Sequence, residues 1–195
     1  MNVSGWKDED KQGAHYRDYF PNLASYTVTN YQAGTDERGF QATSGEINLD
    51  LEAPLPAELS GRFDVVFNHT VLEHIYDCHR AFANLCQMSR DIVIVVLPFL
   101  QPYHHIEGTF DDYWRFTPLA VKRMFEVQQL TPLYISYNED AFASVYVFAI
   151  GTKCPDKWRA RFPKPVSVWS DDRRLPGQRS IVAGVRAALR VVRGK

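Results

Sequence analysis

The sequence predicts an α/β fold in which most strands of a single sheet run parallel. Two nearly continuous apolar runs, FDVVF at 63–67 and DIVIVVLP at 91–98, are typical of strands buried on both faces. Between them, apolar residues recur at spacings of three and four from Cys78 to Met88, which predicts an amphipathic helix with Asp77 as its N-cap. A strand, a helix and a second strand in this order indicate a parallel pair joined by a crossover.

The segments on either side extend this alternation. The local patterns predict further strands and helices: strands ending near residue 3 and over 25–29 and 46–51, and helices over 15–20 and 119–129. Two last strands are predicted over 133–137 and 144–152. Because residues 138–143 between them are too few for a helical crossover, we expect a hairpin and therefore an antiparallel last strand.

Composition and charge limit the class of protein. The chain has 195 residues, 45% of them hydrophobic and 23% charged, as expected for a globular protein with one main domain. The net charge of -1 gives no reason to expect a nucleic-acid partner. The longest apolar run, 92–97, is too short to span a bilayer, and no signal peptide is visible. Three cysteines without a CxxC pair suggest a reducing compartment, so we expect a cytoplasmic protein.

The end of the chain differs from the rest in charge. Residues 173–195 contain seven basic residues and no acidic ones. We therefore predict a domain over 1–153 and a basic extension over 154–195. Within the extension, 178–193 form an amphipathic pattern with arginines on the polar face. Such a helix either packs on its own sheet, which is the simpler interpretation, or lies on an anionic membrane surface, which would place the protein at the inner face of a membrane.

Two motifs resemble those of a known family. Residues 63–74, FDVVFNHTVLEH, resemble the segment around the fourth strand of class I methyltransferases that use S-adenosyl-L-methionine (SAM). Residues 112–118, DYWRFTP, resemble a stretch common in a type 11-like subset, several members of which act in sugar or polysaccharide pathways. The resemblance covers roughly residues 2–153. It implies a Rossmann-like sheet with the strand order 3-2-1-4-5-7-6.

The resemblance also implies SAM as the cofactor, bound across the carboxyl ends of the first four strands. The matching positions are Ser4 with Gly5 for the methionine end, Asn30 for the ribose, Asp50 with Leu51 for the adenine, and Asn68 with His69 for the sulfonium and carboxylate ends. The first turn departs from the family pattern, since only Gly5 stands where the family has a GxGxG-like turn. Asn30 likewise occupies a position where an acidic residue is usual.

Each of these positions also has a structural interpretation. Gly5 and Asn30 are common turn residues, and Asp50 could cap the proline-rich loop that follows it. Glu73 opens a helical turn, where a carboxylate complements the helix dipole, so we predict a structural role for it. The degenerate first turn leaves two further hypotheses beside that of an active enzyme. The domain has lost cofactor binding and serves as a binding or regulatory partner, or the natural chain starts upstream of Met1.

The long loop after the second buried strand supplies candidates for catalysis. His104 or His105 is predicted to take a proton from the acceptor hydroxyl, with Tyr103 as an orienting or substrate-contacting partner. Trp114 and Arg115 either contact the substrate or form a stacked pair that stabilises the loop. Adjacent histidines cannot easily face one ion, so no metal site is predicted. The predicted reaction is methyl transfer from SAM to the hydroxyl of a small molecule, sugar or glycan.

Overall fold

The computed structural model describes residues 1–10, 12–32, 39–138, 145–164 and 166. Within these residues, seven strands form one sheet. The strands are β1 (Asn2–Val3), β2 (Val28–Asn30), β3 (Ile47–Asn48), β4 (Phe63–His69), β5 (Ser89–Leu100), β6 (Thr131–Tyr137) and β7 (Val145–Thr152). The helices are α1 (Cys78–Met88), α2 (Pro118–Val127) and α3 (Pro155–Trp158), with single 3₁₀ turns at Tyr16–Tyr19, Ala57–Leu59 and Leu72–His74.

The topology confirms the predicted fold class. The strand order is β3-β2-β1-β4-β5-β7-β6, as the family resemblance implies. Strands β1 to β5 pair in parallel, whereas β7 runs antiparallel to both β5 and β6. The antiparallel pairing of the last two strands is therefore confirmed, although part of their connection, 139–144, lies outside the described residues.

Element boundaries differ from the predictions in two opposite ways. Strand β5 runs over 12 residues, beyond the predicted 91–98, and pairs with β4 on one side and β7 on the other. The strands at the other end of the sheet are shorter than predicted, and β3 keeps only Ile47–Asn48 of the predicted 46–51. The helix predicted over 15–20 is a single 3₁₀ turn. Local composition alone therefore does not determine strand length.

One face of the sheet carries the core. Side chains alternate between faces along a strand, so Val93, Val95 and Leu97 of β5 all face α1 and α2, and each has no exposed surface. The helices meet over this face through Phe82 and Phe125, whose ring centres are 5.2 Å apart in an edge-to-face arrangement. The opposite face of β5, at Ile94 and Val96, is only partly buried. The two faces of the sheet therefore differ in how completely they are covered.

Helix α2 begins at a side-chain cap. The hydroxyl of Thr117 accepts a hydrogen bond from the backbone N–H of Ala120 at 3.1 Å, and Pro118 occupies the first helical position, as predicted. Replacing Thr117 by alanine leaves that N–H without its acceptor. We expect Thr117→Ala to lower the free energy of unfolding by about 1 kcal/mol, measured by urea denaturation. The same substitution at the exposed loop residue Thr109 is the control, and equal losses would contradict the capping role.

A buried carboxylate ties the segment after β7 to the sheet. Asp91 is 5% exposed and accepts hydrogen bonds from Thr152 Oγ1 at 2.6 Å, Lys157 Nζ at 2.6 Å and Trp158 Nε1 at 3.0 Å. The first residues of the predicted extension, 154–158, are therefore fastened to β5. The domain boundary at 153 stays a prediction, and the predicted amphipathic helix over 178–193 lies outside the described residues. None of the helices in the described part of the chain has the length and apolar character needed to cross a membrane.

Candidate active site

Strand register brings most of the predicted cofactor-binding residues to one edge of the sheet. Val3 at the end of β1 lies opposite Thr29 on β2 and Asn68 on β4, and Asn30 lies opposite Asn48 on β3. Because these strands are parallel, their carboxyl ends open at the same edge, where ligands bind in folds of this kind. The predicted cofactor-binding residues at or just beyond this edge are Ser4, Gly5, Asn30, Asp50, Leu51, Asn68 and His69.

Asn68 is the most constrained of them. Its side chain is fully buried, and its Nδ2 donates a hydrogen bond to the Val3 carbonyl at 3.0 Å. This bond fixes the orientation of the amide, because a carbonyl can only accept. Among the described residues, Asn68 Oδ1 has no hydrogen-bond partner although it is buried. A buried acceptor without a donor is costly, so this oxygen favours a ligand that brings an N–H group or a positive charge.

The backbone of the first turn keeps the spacing of a GxGxG turn without the glycines. Ser4, Trp6 and Asp8 have positive φ angles of 55°, 47° and 62°. Left-handed backbone is strained for residues with a side chain and is ordinarily supplied by glycine. The three strained residues recur at every second position, as the glycines of GxGxG do. Only this spacing is shared with GxGxG, since the one glycine, Gly5, lies between Ser4 and Trp6.

Gly5 itself is required by packing against Asn2. A Cβ atom on Gly5 would lie 2.4 Å from Asn2 Nδ2 and 2.7 Å from Asn2 Cγ. Asn2 cannot move aside freely, since it is 1% exposed and its Nδ2 donates to Asp8 Oδ1 at 2.7 Å. We expect Gly5→Ala to lower the free energy of unfolding by about 1–2 kcal/mol, measured by urea denaturation. A variant as stable as the wild type would contradict this account of the turn.

Backbone N–H groups of the first turn are already bonded within the protein. Ser4 N donates to Thr29 Oγ1 at 3.2 Å, and Gly5 N donates to Thr29 O at 3.1 Å. Trp6 N donates to Asn30 Oδ1 at 2.7 Å, and Asp8 N donates to Gly5 O at 2.7 Å. In a phosphate- or carboxylate-binding turn such N–H groups point at the ligand. Here four of them stabilise the turn instead.

Asn30, predicted to contact the ribose, clamps this turn. In addition to accepting from Trp6 N, its Nδ2 donates to Trp6 O at 3.1 Å and to Glu46 Oε1 at 2.6 Å. Both amide hydrogens are therefore in use, and Asn30 is only 3% exposed. Glu46, which the sequence did not single out, also accepts from the backbone N–H groups of Gln41 and Thr43 at 3.1 Å. The ribose contact of Asn30 stays a prediction, and the clamp is a role that the structure shows.

Asp50 shows the cap that the sequence left as an alternative. Its Oδ1 accepts a hydrogen bond from the backbone N–H of Glu52 at 2.8 Å, which forms a turn just after β3. The carboxylate remains partly exposed, while the neighbouring Leu51 is 4% exposed. A capping bond to one oxygen is compatible with a ligand contact at the other. The adenine role of Asp50 and Leu51 stays a prediction.

The long loop after β5 is held together by one buried ion pair. Arg115 Nη1 and Nη2 donate to the two carboxylate oxygens of Asp112 at 2.6 Å and 2.7 Å. The same guanidinium also donates to the Gln101 and Pro102 carbonyls. The Asp112 side chain has no exposed surface, and the Arg115 guanidinium holds the pKa of that carboxyl well below its usual value. Arg115 thus stabilises the loop, and its predicted contact with substrate stays untested.

A second set of bonds fastens the loop to the 3₁₀ turn Leu72–His74. The indole Nε1 of Trp114 donates to the Ile75 and Tyr76 carbonyls at 3.1 Å each. The backbone N–H groups of Tyr113 and Trp114 donate to the Glu73 carbonyl at 2.7 Å and 3.2 Å. Trp114 thus helps to hold the loop through its indole N–H, whereas its stacking on Arg115 and its contact with substrate stay predictions. These bonds bring the DYWRFTP and VLEH motifs, forty residues apart in the sequence, into direct contact.

The two histidines of the loop face different surroundings. His104 Nδ1 lies 3.1 Å from Asp112 Oδ2, and its ring centre is 5.0 Å from that of His74. His105 Nδ1 lies 3.2 Å from Asp111 Oδ1, and its ring stacks on Tyr103, which is 73% exposed. The predicted pairing of Tyr103 with a histidine therefore exists, and the histidine is His105. His104 instead lies in a partly buried cluster with Glu73 and His74, which the sequence did not predict.

His74 and Glu73 complete that group. The Glu73 side chain is 1% exposed, and its Oε1 lies 3.8 Å from His74 Nε2. His74 Nδ1 donates to the Asp111 carbonyl. Burial lowers the pKa of His74, so its imidazole is neutral at neutral pH. The VLEH motif did signal these two residues, but only the fold shows that they meet His104.

A large cavity opens on the less covered face of the sheet. Its volume is about 780 Å³, and it is lined by alternate residues of β4, β5 and β7 together with the segment around Tyr16–Tyr19. The lining is mainly apolar and aromatic and includes Phe67, Val96 and Phe148. His69, at the carboxyl end of β4, also lines the cavity. The cavity therefore reaches the edge of the sheet at which the predicted cofactor-binding residues lie.

Solved methyltransferases share this architecture. The CMeT domain of a citrinin polyketide synthase superposes with a TM-score of 0.54, is 9% identical, and matches over 77% of this chain and 45% of that chain. A SAM-dependent methyltransferase of Methanosarcina mazei gives 0.52, with 10% identity over 78% of this chain and 90% of that one. The fold is that of the class I methyltransferases. A putative methyltransferase of Haloferax volcanii, in complex with the activator Trm112, also gives 0.52, with 10% identity over 77% and 79% of the two chains.

At these identities the likeness to class I methyltransferases concerns the fold. In six of the similar structures, the matched region spans only 44–50% of the other chain, so this chain corresponds to about half of those proteins. Comparison of the sequence with protein-family models and with curated proteins gives no match. The type 11-like subset therefore remains a resemblance of motifs, and activity has to be argued from the site.

Proposed function

We propose that this chain is a SAM-dependent methyltransferase acting on the hydroxyl of a small molecule or sugar. The observation that carries the proposal is the buried, unsatisfied Oδ1 of Asn68 at the carboxyl end of β4. The methionine end of SAM has an ammonium group and a sulfonium, and both bring positive charge suited to this acceptor. The class I fold puts the cofactor at this edge of the sheet, and the Methanosarcina mazei protein of the same fold is a SAM-dependent enzyme.

The residues present fit part of the cofactor well. Asn68 would hold the methionine end, and Asp50 with Leu51 would hold the adenine beyond β3. When bound, SAM supplies an activated methyl group, so the protein has only to align the acceptor and exclude water. The acceptor would occupy the cavity beside His69, whose volume of about 780 Å³ suits a small molecule. His105 or His104 would take the acceptor's proton, as the sequence predicts.

The acceptor class is tested by a methyl-transfer assay. The full chain is incubated with SAM and matched panels of sugar or small-molecule hydroxyls, amines and carboxylic acids, and S-adenosylhomocysteine (SAH) release is measured. The proposal predicts SAH formation above the no-acceptor rate with hydroxyl compounds alone. Transfer only to amines or carboxylic acids would refute the hydroxyl assignment and leave the methyltransferase activity itself intact.

A second candidate function is a methyltransferase-like domain that binds no SAM and serves a protein partner. One observation favours it, namely that four backbone N–H groups of the first turn are bonded within the protein. The Haloferax volcanii structure shows that a putative methyltransferase of this fold can bind an activator protein. Binding of SAH separates the two candidates, because only the first requires it. Contact of residues 178–193 with a membrane surface remains a hypothesis compatible with either.

A further inference from the structure

Three side chains that could bind a metal ion meet where the long loop after β5 packs against the 3₁₀ turn Leu72–His74. Glu73 and His74 follow β4, and His104 follows β5. Each offers one ligand atom, and the three atoms all lie within 4.8 Å of one another. We propose that Glu73, His74 and His104 bind a divalent transition-metal ion of the Zn²⁺ type. Two imidazoles and one carboxylate form a ligand set that such ions prefer.

The protonation of His74 suits a metal ligand. Its Nδ1 is hydrogen-bonded to the backbone carbonyl of Asp111, and a carbonyl only accepts, so Nδ1 carries the proton. In the neutral ring, Nε2 then has a free lone pair. This Nε2 is the nitrogen that lies 3.8 Å from Glu73 Oε1. Metal-binding histidines are typically oriented in this way, by donating the other ring nitrogen to a carbonyl or carboxylate.

The main chain of His104 is anchored by Asp112. The Asp112 carboxylate lies 3.1 Å from His104 Nδ1 and accepts the His104 backbone N–H at 2.8 Å. Asp112 is in turn held by the two hydrogen bonds from Arg115. His104 is therefore tied through its backbone to a buried carboxylate that cannot readily move, and its ring lies beside that carboxylate. Such outer support determines how well a site retains its ion.

The separations are close to those of an occupied site. Three atoms within 4.8 Å of one another all lie within about 2.8 Å of a common point, compared with bond lengths of about 2.0–2.2 Å for Zn²⁺. Shifts of at most about 0.6–0.8 Å per ligand atom would therefore bring all three to bonding distance. The Glu73 carboxylate would supply the negative charge of the site, and its side chain is 1% exposed. Three protein ligands leave one position for water or an acceptor oxygen, as in catalytic zinc sites.

No metal site was predicted from the sequence, because the only candidate ligands weighed there were the adjacent histidines His104 and His105. These two do diverge, as expected, since His105 lies beside Asp111 and Tyr103. The other ligands come from a segment thirty residues earlier, which only the fold brings close. As a metal ligand His104 is not available as a base, which leaves His105 for proton transfer. The metal site itself does not depend on SAM binding.

Metal binding is tested on the full chain after removal of metal with a chelator. Zn²⁺ is titrated by calorimetry, and Co²⁺ is added as a probe whose visible absorption reports its ligands. We expect one ion per chain. His74→Ala and His104→Ala should each weaken Zn²⁺ binding by about tenfold or more, because each loses a ligand. His105→Ala is the matched control and should bind Zn²⁺ as the wild type does.

Thermal unfolding with and without Zn²⁺ guards against variants that merely misfold. Zn²⁺ should raise the melting temperature of the wild type and of His105→Ala, and raise it much less for the other two variants. The proposal is overturned if the folded wild type binds neither ion at millimolar concentration. It is also overturned if binding is unchanged in both His74→Ala and His104→Ala, or falls equally in His105→Ala. Calorimetry with SAH is independent of each of these results.

Discussion

Replacing Asp112 by asparagine should lower the free energy of unfolding by about 3 kcal/mol at neutral pH. The Asp112 side chain has no exposed surface and receives two charged hydrogen bonds from Arg115 and one from the His104 backbone. Removing one partner of a buried pair leaves the other charge uncompensated. Because the Arg115 side chain is 25% exposed and can regain some hydration, we expect the lower end of the range of about 3–5 kcal/mol. Urea denaturation measures the loss.

The pH dependence follows from the lowered pKa of Asp112. A carboxyl whose pKa is lower in the folded than in the unfolded protein stabilises the fold above its unfolded pKa, about 3.9. That stabilisation is lost as the pH falls below this value. The difference between wild type and Asp112→Asn should therefore be complete at neutral pH and shrink below about pH 4. A difference that stays constant into acid would contradict the ion pair as its cause.

Asp64 provides a matched control for this prediction. It pairs with Arg90 in the same two-bond geometry, at 2.6 Å and 2.8 Å, but both side chains are mostly exposed. Water and salt screen such pairs, so Asp64→Asn should cost much less than Asp112→Asn. Equal losses from the two substitutions would show that burial of the loop's ion pair is not what stabilises it.

Replacing Asp50 by alanine should weaken SAH binding by about 1–3 kcal/mol, which is roughly 5- to 150-fold in affinity. Asp50 follows β3 at the position where the family resemblance places the acceptor for the adenine amino group. Without it, that amino group would be buried with no partner. Calorimetric titration of wild type and variant measures the change.

The control must separate a lost contact from a lost charge. Glu58, exposed in the 3₁₀ turn Ala57–Leu59, carries the same charge a few residues downstream. Glu58→Ala should leave the affinity for SAH unchanged. Asp50→Ala also removes the cap on Glu52 N, so its folding is checked by circular dichroism. An unchanged affinity in Asp50→Ala would refute the adenine role without refuting SAM binding.

Much of the fold was predictable because its signals are local. The apolar runs at 63–67 and 91–98 predicted the two central parallel strands, and Asp77 and Pro118 predicted where α1 and α2 begin. The short separation of the last two strands predicted their antiparallel pairing. What these patterns could not give was strand length, which depends on neighbours in the sheet. β5, for example, extends beyond the apolar run at 91–98 at both ends.

The candidate site was less predictable because its contacts join distant segments. Trp6 meets Asn30 across 24 residues, and His74 meets His104 across 30. No local sequence pattern predicts either contact. The backbone of the first turn was also not predictable, since Ser4, Trp6 and Asp8 adopt the left-handed conformation that is ordinarily found at glycine. Residue types indicated which side chains could carry chemistry, and only the fold showed which of them share a site.

The central claim is that the edge of the sheet beside Asn68 holds SAM. Calorimetric titration of the full chain with SAH tests it most directly, since it requires no knowledge of the acceptor. The account predicts saturable binding of one SAH per chain in the micromolar range. No heat at millimolar SAH, at two temperatures so that a zero enthalpy is not mistaken for absence of binding, would contradict it and favour the non-enzymatic alternative.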